Sequence, residues 1–92
     1  MNKLNFSQAL EALKEGKKLA RYGWNGKDMW IILILGTEAA QLKEGSPYKL
    51  ALNQDTSNIL SHIDMRTATG DMQPGWLASQ SDILANDWQI ID

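Results

Sequence analysis

The sequence predicts an α+β fold: one N-terminal helix packed on an antiparallel sheet of about four to five strands, forming a single small domain over residues 1–92. Three observations carry this. Phe6, Ala9, Leu10 and Leu13 recur at the spacing that lines one face of a helix. Asn25-Gly26 separates two strand-like segments, and this pair is the strongest short-range hairpin signal because a type I′ turn needs positive φ at both central residues. Ile63 and Met65 alternate with His62, Asp64 and Arg66, the period of an extended chain with two distinct faces.

The elements follow in order. Asn5 or Ser7 can cap the first helix, and Gly16 stands where a left-handed stop is needed. Lys14, Lys17 and Lys18 lie near the negative end of its dipole and read as a solvated helix end. Lys18–Arg21 reads as a short strand, Tyr22–Lys27 as the turn, and Met29–Leu35 as a buried strand. If the turn is only a turn, Trp24 simply caps the hairpin. The stretch 36–58 is the least legible. Ala39–Lys43 reads as a single helical turn, Gly45-Ser46-Pro47 as a break, and Leu50, Ala51 and Leu52 are expected to touch the core. A connection this long in a small domain suits a lid or an oligomer contact. Ile59–Arg66 is expected to be extended, Thr69-Gly70-Asp71 a turn and Pro74-Gly75 a bend before Trp76. Ser79 or Ser81 followed by Asp82 reads as the cap of a helical turn over Asp82–Ala85, and Asp87–Ile91 as the last strand.

Two segments combine the residue types of a pocket wall. In Trp76–Trp88 the anchors Trp76, Leu77, Ile83, Leu84 and Trp88 are expected to bury apolar area, while Ser79, Gln80, Ser81 and Asp82 are too polar to go inside unpaired. Arg21–Lys27 brings an aromatic ring, amide and cationic donors, and two glycines that allow close backbone approach. A chain of 92 residues buries too little surface for a deep private pocket. A nucleotide-sized ligand is therefore expected between protomers, which makes homo-oligomerisation the default.

Composition narrows the function classes. A formal charge of −2 with scattered basic residues argues against a general binder of nucleic acid polymers, whose affinity comes from clustered Lys and Arg. The absence of cysteine excludes a disulfide framework, a thiolate nucleophile and a thiolate metal site, and fits a cytoplasmic location. The apolar run Met29–Leu35 falls far short of the ~20 residues needed to span a bilayer, so no membrane partner is expected. There is no serine elbow, glycine-rich phosphate loop or metal-ligand spacing. His62 and Asp64 would share a strand face, but without a third ligand no metal site is expected, and no catalytic residue is assigned. Recognition groups are plentiful instead. Four Trp and two Tyr can stack a base, at about 1–3 kcal/mol each.

Arg21-x-Gly23-Trp24-Asn25-Gly26-Lys27, His62-Ile-Asp-Met-Arg-Thr-Ala68 and Pro74-Gly-Trp-Leu-Ala-Ser-Gln-Ser-Asp-Ile-Leu-Ala-Asn-Asp-Trp88 resemble the three signature blocks of a small phage and prophage family, formerly a domain of unknown function. Its members include the second type of Thoeris anti-defense protein. The last block is the most specific, and residues 36–58 match no pattern of the family. The resemblance implies a non-catalytic, cofactor-free sponge in the host cytoplasm, similar to members that assemble as homotetramers. Such a sponge sequesters the cyclic ADP-ribose-type signal of a bacterial TIR-domain enzyme and so blocks Thoeris immunity; some relatives also hold cyclic dinucleotides. Carried over by block, the expected ligand contacts are Arg21, Trp24, Asn25 and Lys27 with Ser79, Gln80 and Asp82. The competing reading is a phage-derived structural or protein-interaction module without nucleotide binding, and a hydrolase of the same signal is a distant third.

Overall fold

The first helix, α1 (Phe6–Lys14), is started by a reciprocal cap. The Asn5 side chain accepts from the Gln8 N–H, and the Gln8 side chain accepts from the Asn5 N–H, each at 2.9 Å. After Lys14 the chain leaves the helix through Gly16, whose φ of +90° favours a residue without Cβ. In the computed structural model, which describes residues 3–24 and 28–91, α1 buries Ala9, Ala12 and Leu13 against the sheet. Asn25, Gly26 and Lys27, with the type I′ turn expected there, lie outside the described residues.

The main sheet is antiparallel throughout. Its strands are β1 (Lys18–Arg21), β2 (Trp30–Ile34), β5 (His62–Arg66), β6 (Met72–Gln73) and β7 (Trp88–Ile91), in the order β6-β5-β2-β1-β7. Registry places Leu19 opposite Ile31, Ile31 opposite Met65 and Leu33 opposite Ile63, so one face collects the apolar positions that meet α1. Trp88, Leu13, Leu19 and Ile31 are its most completely buried large side chains. The N-terminal segment continues the sheet past β7, with Leu4 and Trp88 exchanging backbone hydrogen bonds of 2.8 and 3.0 Å. Residues one position out of phase, among them Lys18, Ala20, Trp30, Arg66 and Gln89, point to the opposite face. Among the described residues, α1 packs on the first face and α3 (Gln80–Leu84) packs against α1.

The stretch 36–58 forms an arm. β3 (Thr37–Gln41) and β4 (Thr56–Ile59) pair as a separate two-stranded ribbon that carries α2 (Pro47–Leu52) at its tip, and the molecule extends 48 × 26 × 25 Å. The ribbon prolongs the β2–β5 pair. Ile34 faces His62, and three residues further along each strand Thr37 faces Ile59 in the same register. A Cβ on Gly36 would collide with the carbonyl of Ile59, which is why glycine occupies this crossing. Between Thr37 and Ala40 the register slips, with Ala39 at φ +49° and its N–H donated to the Asn58 side chain at 2.9 Å.

Several expectations are corrected here. Ala39–Lys43 is not a helical turn, because cross-strand pairing with β4 overrides the helix preference of its two alanines. Ile59–Arg66 is two strands broken at Leu60-Ser61. Leu50, Ala51 and Leu52 do not touch the core: α2 sits beyond the sheet and buries no residue, leaving Leu50 74% exposed. Ser79 is the cap of α3, which begins at Gln80 rather than Asp82. In the single chain Leu77 and Leu84 are 92% and 68% exposed and Ile83 is also exposed, so Trp88 and, in part, Trp76 are the anchors that bury.

Candidate functional site

The two tryptophan-bearing blocks are bolted together by carboxylates. Arg21 ends β1 opposite Trp88 of β7, which aims its guanidinium at the α3–β7 connection. Its Nε donates to Asp87 Oδ1 and its Nη1 to Asp82 Oδ1, both at 2.8 Å. Asp82 Oδ1 also accepts from Trp24 Nε1 at 3.2 Å, while Oδ2 accepts from the Ser79 N–H at 3.2 Å. The Ser79 hydroxyl accepts from the Asp82 N–H at 3.1 Å, which completes a capping box at the start of α3. Trp88 Nε1 donates to the Asp82 carbonyl at 2.9 Å. On the other side, Asp87 Oδ2 accepts from the Gly23 N–H at 2.8 Å, and a Cβ on residue 23 would sit 2.8 Å from that oxygen.

Electrostatics follow from this geometry. Burial alone would push the Asp82 carboxyl up, but the hydrogen bonds from Arg21, Trp24 and Ser79 outweigh it and hold it below the ordinary carboxylate range. The Arg21 hydrogen bond holds Asp87 low as well, against partial burial and with help from the Gly23 N–H. Hydrogen bonds to Asp87 and then Asp82 raise the guanidinium of Arg21 further above its already high value.

Behind this bolt lies an aromatic cluster. Trp24 meets Trp88 edge-on with ring centres 5.3 Å apart, Trp76 meets Trp88 edge-on at 6.1 Å, and Phe6 tilts against Trp88 at 5.6 Å. Trp88 is thus fully buried, with Trp24 and Trp76 partly buried against it. Trp30 is the fourth, on the opposite sheet face. There it lines an open cleft of about 440 Å³ shared with Lys18, Arg21, Tyr22, Trp24, Arg66 and Asp28. Lys18 Nζ lies 5.4 Å and Arg66 Cζ 6.0 Å from the centre of the Trp30 ring. The Arg66 Nε is buried and has no hydrogen-bond partner among the described residues.

Of the residues expected at a ligand site, Arg21 and Trp24 line this cleft. Ser79 and Asp82 are joined to them through the carboxylate network, on the α3 side. Gln80 is exposed in the first turn of α3, and Asn25 and Lys27 lie outside the described residues. Lys18, Trp30 and Arg66 were not anticipated. They come from three strands, and only strand alternation combined with the β1–β2–β5 registry brings them to one face. His62 and Asp64 do share a face, with His62 Nε2 3.6 Å from Asp64 Oδ1. His62 Nδ1 lies 2.9 Å from the Leu60 carbonyl, and Asp64 Oδ1 accepts from the Gly75 N–H at 2.8 Å, so both are tied to local backbone. Among the described residues no group of three or more His, Cys, Asp or Glu side chains is placed to hold a metal, and no helix is long and apolar enough to cross a membrane.

Comparison with known proteins adds two findings. Residues 4–91 match the family described as the Thoeris anti-defense 2-like domain. A protein of Bacillus phage SP01 named Thoeris anti-defense 2 is 35% identical over 89 residues, covering 97% of this chain and 96% of that protein.

Proposed function

Since the chain belongs to the Thoeris anti-defense 2-like family, we propose that it is a phage anti-defense protein that sequesters a cyclic ADP-ribose-type nucleotide without transforming it, and so blocks Thoeris immunity in the host cytoplasm. The observation that carries this reading is the cleft on the sheet face opposite α1. Its volume of about 440 Å³ falls within the range of small-ligand pockets, and its cations and aromatic rings suit phosphates and a base. In this proposal Arg21 and Trp24 contact the ligand, together with Asn25 and Lys27 of the same block. Ser79 and Asp82 serve by fixing Arg21 and Trp24, and the exposed Gln80 contacts ligand from a neighbouring protomer. Cyclic dinucleotides share the same phosphate and base chemistry and are the second ligand class to assay.

The assembly we propose is a homo-oligomer, as a tetramer. Its support is the apolar surface a lone chain leaves in water: Leu35, Leu50 and Leu60 on or beside the arm, and Leu77 and Leu84 around α3. The same surface supports a second reading, a phage-derived module that docks on a different protein and binds no nucleotide. Titration calorimetry against a cyclic ADP-ribose isomer separates them. A saturable isotherm, unchanged by prolonged incubation, is the result expected of the sponge; a flat isotherm from folded, oligomeric protein would move the case to the interaction module.

A further inference from the structure

We propose that Arg66 and Lys18, gathered around the Trp30 ring, form an anion subsite that takes the diphosphate of a nucleotide ligand. The class of anion rests on the sponge reading, whereas the subsite itself rests on the geometry of these side chains. Among the described residues three cations line the cleft, and they are not equivalent. Arg21 is neutralised by Asp82 and Asp87, each at 2.8 Å. Lys18 and Arg66 make no ion pair among the described residues, and Asp28 is the acid among the described lining residues. Both unpaired cations are drawn instead to the indole face of Trp30, at 5.4 and 6.0 Å.

An aromatic face attracts a cation but offers no in-plane acceptor for its N–H groups. The consequence is visible at Arg66. Its Nε is buried without a hydrogen-bond partner among the described residues, and such a group in a native protein calls for a partner, a water or an ion included. A guanidinium presents a planar fork of N–H donors that matches two oxygens of one phosphate, while a lysine ammonium acts as a point charge. Arg66 would therefore orient one phosphate and Lys18 would neutralise the next.

The test uses the full-length protein and two probes. In calorimetry with a cyclic ADP-ribose isomer, Arg66→Ala is expected to weaken binding by at least about tenfold, Arg66→Lys by several-fold and Lys18→Ala by less than Arg66→Ala, as befits loss of a charge-assisted fork against loss of one charge. The melting temperature of each variant serves as the folding control. Unchanged affinity in Arg66→Lys and Arg66→Ala, both folded, would overturn the proposal. In parallel, inorganic pyrophosphate added to 15N-labelled wild type is expected to shift the Arg66 Nε–H resonance, assigned by its absence in Arg66→Lys. A shift with pyrophosphate but no binding of any cyclic nucleotide would retain the anion subsite and reject the sponge reading. No shift at millimolar pyrophosphate would reject the subsite.

Discussion

Replacing Asp82 by alanine removes the acceptor shared by Arg21 Nη1, Trp24 Nε1 and the Ser79 N–H. The loss of the α3 capping interaction alone is about 0.5–2 kcal/mol. The larger part is the ion pair. Asp82 and Arg21 side chains are only 11% and 19% exposed, so removing one partner approaches the roughly 3–5 kcal/mol of a buried pair broken on one side. Arg21 keeps Asp87, which brings the total to the low end, about 3 kcal/mol. For a domain this size each kcal/mol shifts the melting temperature by about 4–8 °C, so Asp82→Ala is expected to melt about 12–24 °C lower. Asp82→Asn keeps the shape and an acceptor but not the charge, and should lose about half as much stability. Urea and thermal unfolding followed by tryptophan fluorescence measure both, since Trp24 and Trp88 bond directly to residue 82. Well below its melting point Asp82→Asn is expected to bind ligand within a few-fold of wild type. A variant that melts like wild type yet loses most of its affinity would refute the structural role and place Asp82 directly on the ligand.

The remaining predictions concern pH, packing and assembly. Asp82 and Asp87 are both held below the ordinary carboxylate range when folded, so near pH 4 the unfolded chain binds more protons and stability there rises with pH. Urea midpoints are therefore expected to be level above about pH 5 and to fall as pH drops through the ordinary carboxylate value and towards the folded ones; a midpoint that is flat down to pH 3 would contradict this. Gly23→Ala places a Cβ 2.8 Å from Asp87 Oδ2 and should cost about 1–2 kcal/mol by displacing that carboxylate from Arg21, read by the same unfolding assays. Leu60→Glu charges an apolar side chain that is 82% exposed in the single chain, and light scattering is expected to show a shift towards the 10.3 kDa protomer. Unchanged mass would remove this part of the arm from the interface.

The parts of the fold legible in the sequence are those where one face is buried. α1 and β5 carry a periodic apolar pattern and β2 an apolar run, because each packs on the Leu13–Leu19–Ile31–Trp88 core. The arm has no such pattern. β3 and β4 pair with each other and are largely solvated, so nothing in their spacing distinguishes strand from helical turn, and Ala39-Ala40 locally favours the wrong answer. The same logic explains the site. Arg21, Trp24, Ser79 and Asp82 stood out as candidates because they cluster in two short blocks, and the fold joins those blocks. Lys18, Trp30 and Arg66 are spread over three strands, and none is unusual at its own position. Their convergence depends on strand order, which no local pattern records.

The central claim is that this chain removes a nucleotide signal by holding it intact. The most direct measurement mixes the protein in molar excess with a cyclic ADP-ribose isomer, separates free nucleotide by filtration, then heats the retained fraction and quantifies the released nucleotide by chromatography and mass spectrometry. The account predicts that the filtrate is depleted in proportion to protein added, and that heating returns the same nucleotide with unchanged mass and retention. A filtrate that keeps all its nucleotide, or a heated fraction that yields a linear or cleaved product, would contradict it.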